Sequence, residues 1–208
     1  MRHLLKAAIA VLATLSAAEA AEPKRYLALS AGGFTLSGES ITYPTGFETA
    51  EAEIATSAGS AFFAAYGAPK RKNVWVEGEI GVFHARWNSN GGNQVFAFCD
   101  TTFDCENRRI GTTALMGNLI VSGNTRRVVR PYGGIGMGLM VSATDDVNSD
   151  IAFGFGWQAK GGIDWRVGDK MRLGAQYRYL GAPEAELYQG FTFEADGQAL
   201  LLSLARDL

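Results

Sequence analysis

Six charged side chains fall on three stretches of strict alternation, and they set up the chemistry this sequence can do. Glu77 and Glu79 stand two apart in VWVEGEIGVFHAR. Lys160 and Asp164 lie in IAFGFGWQAKGGIDWR, and Arg172 and Arg178 in MRLGAQYRYL. Residues two apart on an extended chain share a face, so each stretch sends its charges to one side, together with Gln176. Nearby carboxylates can act as acid and base on a bound substrate. Where no substrate can reach them they must pair with cations, because an uncompensated charge in a low-dielectric interior costs several kcal/mol. The expectation is a static network of Glu77, Glu79, Lys160, Asp164, Arg172 and Arg178. Exchange of partners within it would instead gate a narrow ion path.

Other candidates are weaker. GFGWQA at 154–159 satisfies G-x-G-x-x-A, but a dinucleotide fingerprint must follow a strand and open a helix. Here it sits inside an alternating run that continues to Val167. A hydrolase would need a base beside its nucleophile. His84 shares a face with Ile80 and Val82 and has no serine in its stretch until Ser89; Ser203 has no histidine neighbour in sequence. Cys99 and Cys105 are spaced C-x5-C with no nearby His, which is poor for a four-ligand zinc site. They read as a loop-stapling disulfide worth roughly 2.4 kcal/mol in loop-closure entropy; two free thiols are the alternative. No catalytic, cofactor-binding or metal-binding residue is assigned, and the chain is expected not to be an enzyme.

The elements that carry these residues alternate with period two. From Ile151 to Val167 the odd positions are Ile, Phe, Phe, Trp, Ala, Gly, Ile, Trp and Val. The even positions between them are glycine, alanine and polar or charged residues. A run this long exceeds the usual strand, which reaches ~10 residues. The same alternation runs through Val74–Val82, Gly134–Val141, Met171–Tyr179 and Leu200–Ala205. Weaker versions occupy 26–38, 51–67 and 110–123, which makes eight strands. Glycine is abundant, 26 of 208 residues, and no stretch reaches the ~18 apolar residues of a membrane helix. With a net charge of −2 and no long basic block, no nucleic-acid partner is expected.

Residues 1–20 read as a cleaved signal peptide, which leaves 21–208 as one domain. Arg2, His3 and Lys6 precede an apolar run from Ala7 to Leu15, and Ala18-Glu19-Ala20 has the small-x-small pattern of a cleavage site. Small and polar residues lie on one face of each strand and bulky apolar residues on the other. An outer-membrane barrel has that inverted arrangement, with lipid outside. A soluble lipocalin-like barrel is the alternative. Connections at 39–50, 88–109, 145–150 and 182–197 are mostly long, whereas those at 68–73, 124–130 and 168–170 are short. Long extracellular loops and short periplasmic turns follow that pattern. The fold class expected is all-β, an eight-stranded antiparallel up-and-down transmembrane barrel.

AFFAAYGA, VWVEGEIG, RPYGGIGMG, FGWQAKGGIDWRVGDKMRLGAQYRYL and ALLLSLARDL occur in that order between Ser57 and Leu208. The ordered set resembles the outer-membrane β-barrel superfamily of OmpA-like, opacity-type surface proteins, over about three-quarters of the chain. The resemblance implies a barrel that ends at its last strand. Members usually finish on Phe or Trp; Leu208 departs from this, which bears on recognition by the barrel-assembly machinery.

The expected role is structural or adhesin-like, with the extracellular loops as the interaction surface. The alternatives are a narrow pore gated by the lumen salt bridges and a lipid A-modifying enzyme. Phe96, Phe98, Arg108, Arg109, Tyr188 and Phe191 are the loop contacts expected for an unknown extracellular partner, since aromatic and arginine side chains anchor interfaces. Arg108 and Arg109 suit lipopolysaccharide phosphates. Basic residues in the short turns, Lys70, Arg71, Lys72, Arg126, Arg127 and Arg130, suit anionic headgroups. The chain is expected to be a monomer in the bacterial outer membrane, with no cofactor.

Overall fold

The computed structural model describes residues 24–36, 39–44, 49–54, 58–86, 109–123, 127–144, 151–181, 185–187, 191–193 and 196–208. Eight long strands carry the alternation: β1 (Tyr26–Leu36), β4 (Ala58–Arg71), β5 (Val74–Arg86), β6 (Arg109–Ser122), β7 (Val129–Thr144), β8 (Ile151–Arg166), β9 (Met171–Gly181) and β12 (Asp196–Asp207). Each pairs antiparallel with its neighbours in sequence, and β1 pairs with β12, so the sheet closes into a barrel without an edge. One level can be followed around the wall from Arg172 through Ala205, Ala28, Ala65, Glu79, Met116, Gly138 and Gly156. It returns to β9 one step past the Trp157–Gly181 pair, a stagger of ten residues. Stagger and strand number together fix the tilt and the bore, and eight strands leave an interior that side chains fill.

Burial alternates with the same period as the sequence. Along β12 Leu201, Ser203 and Ala205 are buried while Leu200, Leu202 and Leu204 are exposed. The apolar side chains face outward: Phe153 is 76% exposed, Met137 74% and Leu202 74%. Exposed apolar residues ring all eight barrel strands. A soluble monomer does not carry a contiguous apolar belt of that extent, so lipid is the solvent of the outer face. Glycine supplies room inside. A Cβ at Gly138 would collide with the backbone carbonyl of Leu115, and one at Gly174 would lie 2.7 Å from the Asp164 carboxylate.

A second, smaller sheet in the order β10-β11-β2-β3 is hydrogen-bonded separately from the barrel sheet, with β10 lying against β8. It is made of β2 (Glu39–Pro44), β3 (Thr49–Ile54), β10 (Ala185–Leu187) and β11 (Phe191–Phe193). These belong to the connections β1–β4 and β9–β12, and Thr192↔Thr42 and Phe193↔Ile41 join the two hairpins. Both segments were expected as loops, and 51–67 as one barrel strand. The barrel strand instead begins at Ala58. Its inner face holds Ala61, Phe63 and Ala65, and continuing that face backward would carry Glu51 and Glu53 inside uncompensated.

The turn expected at 68–73 is also shorter, because β4 runs to Arg71 through a register shift between Pro69 and Arg71. Lys72 and Asn73 alone make the reversal, with Asn73 at φ 66°, a left-handed conformation that asparagine tolerates better than most residues. Both described ends of the chain and the three short turns lie at this same end of the barrel. Residues 1–23, including the expected signal peptide, lie outside the described residues.

Candidate functional site

The lumen is stacked in layers. Nearest the long connections is a dry apolar layer in which Phe34, Phe63, Phe83, Met116, Met140 and Leu201 are all buried. Phe34 and Phe83 have ring centroids 4.8 Å apart, and Phe63 and Phe83 6.3 Å. Below it lies a first ionic group. Arg178 grips Glu79 with a two-pronged fork, Nη1 to Oε1 at 2.6 Å and Nη2 to Oε2 at 2.9 Å. Lys160 Nζ donates to Glu79 Oε2 at 2.9 Å and also to Glu77.

The remaining lone pairs are taken by neutral donors. Gln158 donates to Glu79 Oε1 at 2.8 Å and to Asn118 at 2.6 Å, while Asn118 donates to Glu77 at 2.9 Å. Tyr26 donates its hydroxyl to Glu77 Oε2 at 2.7 Å. Two carboxylates and two cations sum to zero, and all four are buried. A pair broken by removing one partner would cost ~3–5 kcal/mol, so this cluster holds its members in fixed positions.

Toward the short turns a second ionic group gathers around Asp164. Its Oδ2 accepts from Arg130 Nη2 at 2.7 Å and from Arg172 Nη1 at 3.1 Å. Arg172 Nη2 reaches Asp207 Oδ1 at 2.8 Å. The two guanidinium groups lie over aromatic rings, Arg130 5.5 Å from Trp75 and Arg172 5.0 Å from Tyr26.

The structure therefore divides the six charges into two clusters. Glu77, Glu79, Lys160 and Arg178 stand in the first, and Asp164 and Arg172 in the second. Sequence reading placed Arg130 in the 124–130 turn, facing lipid headgroups; β7 begins at Val129 and turns Arg130 into the lumen, where Asp164 takes its charge. Asp207, Asn118, Gln158 and Tyr26 were not foreseen as members, and parity was the available signal for Arg130 as well as for one of these four. Arg130 is two residues before Tyr132 on the glycine face of β7, and Gln158 is two before Lys160. Phe96, Phe98, Arg108, Tyr188, Cys99 and Cys105 lie outside the described residues. Arg109 opens β6 opposite Arg86, and Phe191 opens β11 opposite Leu187.

One contact absent from the sequence reading is Ser60 beside His84, on the outer face where β4 pairs with β5. Ser60 Oγ lies 3.4 Å from Nδ1 and 3.3 Å from Nε2. Near-equal distances to both nitrogens put the hydroxyl off either in-plane lone pair, which is the direction a general base needs. Among the described residues no carboxylate bonds the ring in the place that the third member of a triad would take. The described residues also hold no group of three or more candidate metal ligands.

A closed eight-stranded antiparallel barrel, polar and filled within and apolar without, is an integral protein of the bacterial outer membrane. The sequence matches the family described as outer membrane protein beta-barrel domain over residues 5–197, and the chain belongs to that family. Among solved structures it is similar to Neisserial surface protein A at 13% identity and a TM-score of 0.58. That match covers 88% of this chain and 97% of the other. It is also similar to the outer membrane protein AlkL, at 15% identity and a TM-score of 0.55 over 93% and 94% of the two chains. OprG from Pseudomonas aeruginosa gives 11% identity and a TM-score of 0.53 over 91% and 99%. No curated protein matches the sequence. At these identities the likenesses define the fold.

Proposed function

We propose that this barrel is a structural or surface-interaction protein whose extracellular connections form its working surface. The observation that carries the reading is the pairing of the first and last of those connections into one sheet through β2 and β11. Two hairpins from connections far apart in sequence are thereby tied into a single platform, so contact residues there are held for binding rather than left to search for a geometry. Tyr188 and Phe191 would supply anchors there, and Phe96 and Phe98 would add theirs from the connection at 87–108. Arg108 and Arg109, at the β5–β6 end with Arg86, would meet lipopolysaccharide phosphates.

The composition shapes what else such a surface attracts. The four connections at 37–57, 87–108, 145–150 and 182–195 contain thirteen of the 21 acidic residues and one basic residue, Arg108. Long-range attraction is then toward positively charged partners, with phosphate contact confined to the arginine cluster. The chain would reach this place through cleavage after Ala20 and insertion by the barrel-assembly machinery, and act there as a monomer.

The test is adherence of cells that display the full chain, against cells displaying a chain with 88–109 replaced by a short turn. Both must first show the gel shift between unheated and boiled samples that marks a closed barrel. Loss of adherence with the shift retained is the expected result; unchanged adherence would overturn the reading.

A narrow pore is the weaker reading. Charges that could exchange partners favour it, but the apolar layer of Phe34, Phe63 and Phe83 lies above them. Rearranging the ion pairs would leave that dry layer in place.

A further inference from the structure

At the end of the barrel that carries the short turns, the lumen opens into a cavity of about 140 Å³. Five cationic side chains line it: Lys24, Arg127, Arg130, Arg166 and Arg172. Three carboxylates face them, Asp164, Asp169 and Asp207, which leaves an excess of two positive charges around one small space. This imbalance distinguishes the cavity from the neutral cluster of Glu77, Glu79, Lys160 and Arg178 deeper in the lumen.

Asp164 already bridges Arg130 and Arg172, and Asp207 takes a second prong of Arg172. Lys24 and Arg127 are exposed at the rim and form no salt bridge among the described residues. The chain thus holds two fixed guanidinium groups at the floor, braced over Trp75 and Tyr26, and two available cations at the mouth. Arginine presents a planar fork that matches an oxyanion, and lysine adds a point charge. A water needs about 10–15 Å³ of such space, so the cavity admits a tetrahedral oxyanion with its nearest waters.

We propose that this vestibule is a binding site for a phosphate group, whose charge offsets the excess of two. The group can arrive as a free phosphate of the periplasm or as the headgroup of an inner-leaflet phospholipid. Either source is held by the same residues: Lys24 and Arg127 capture it at the rim, and Arg130 and Arg172 set the electrostatic floor. The site needs no change in the barrel wall. It is blind, because the apolar layer closes the lumen beyond it.

Trp75 lines the cavity, and its indole Nε1 donates to the backbone carbonyl of Lys24 at 3.2 Å, so its N–H resonance reports on occupancy. The purified barrel in maltoside micelles, which contain no phosphate, is titrated in one arm with inorganic phosphate. In the other, phosphatidylglycerol is doped into the micelles. Sodium chloride at matched ionic strength is the reference for simple screening.

A saturable shift of the Trp75 indole signal in either arm, absent with chloride, supports the site, and the arm that saturates identifies the source. In Lys24→Gln/Arg127→Gln the half-saturation should rise about tenfold, the factor that corresponds to about 1.4 kcal/mol. Lys70→Gln/Lys72→Gln, equally basic but away from the cavity, should leave it unchanged. Shifts that grow linearly and match chloride in both arms would overturn the proposal. So would equal weakening in both double variants, since that assigns the effect to the general charge of the rim.

Discussion

Glu79 shows most clearly how a single residue is fixed by its surroundings. It accepts from Arg178 twice, from Lys160 and from Gln158, and has almost no contact with water. Glu79→Gln keeps the shape but leaves Arg178 as a buried cation without its counter-charge. Urea unfolding of the barrel in vesicles should show a loss of about 3–5 kcal/mol. Glu79→Gln/Arg178→Met removes the pair together and leaves Glu77 with Lys160, so it should recover more than half of that loss. Equal loss in the single and double variants would mean that packing, not charge compensation, sets the stability here.

At the scale of elements, the strands were legible because lipid and lumen impose different side chains on alternate positions. The barrel strands keep one phase along their length, with a register shift in β4 between Pro69 and Arg71, and parity alone placed Lys160, Asp164, Arg172 and Arg178 on inner faces. The small sheet was hidden for a physical reason. Its strands are three to six residues long, too short for alternation to stand out, and its β2–β11 pairing joins hairpins far apart in sequence. The division of the charges into two clusters was equally hidden, since it depends on the ten-residue stagger and not on any one strand. Ser60 beside His84 likewise follows from the β4–β5 register. The turn at Lys72–Asn73 gives a direct test of local conformation. Asn73→Gly should leave stability nearly unchanged, while Asn73→Val should cost about 1–2 kcal/mol, the penalty of a side chain in the left-handed region. A heat-stability series on the purified barrel would read both, and equal values would show that the turn relaxes.

For the whole molecule the layering predicts an electrical property. Planar-bilayer recordings should show no conductance steps for the natural sequence, and none for Glu79→Gln/Arg178→Met. Shortening the aromatic layer, as in Phe34→Ala/Phe63→Ala/Phe83→Ala, should produce small steps, because water can then occupy the space the rings had filled. Steps in the natural chain, or in the charge variant alone, would show that the ion pairs and not the rings are the barrier. The same layering assigns the two ends different work, with a basic vestibule on one side and a largely acidic set of connections on the other.

The seam between β1 and β12 has a consequence in time. Tyr26 pairs with Asp207, and eleven such pairs run to Leu36 with Gly197, joining the first and the last strand of the barrel. Until that seam forms, two strand edges expose unbonded amides and carbonyls that hydrocarbon cannot solvate. Contacts so distant are reached slowly, since the entropy of bringing the ends together must be met first. The polypeptide cannot acquire its membrane form strand by strand as it is released. It has to be kept unfolded and escorted until β12 is in hand, and the rate of its maturation is set by that last join.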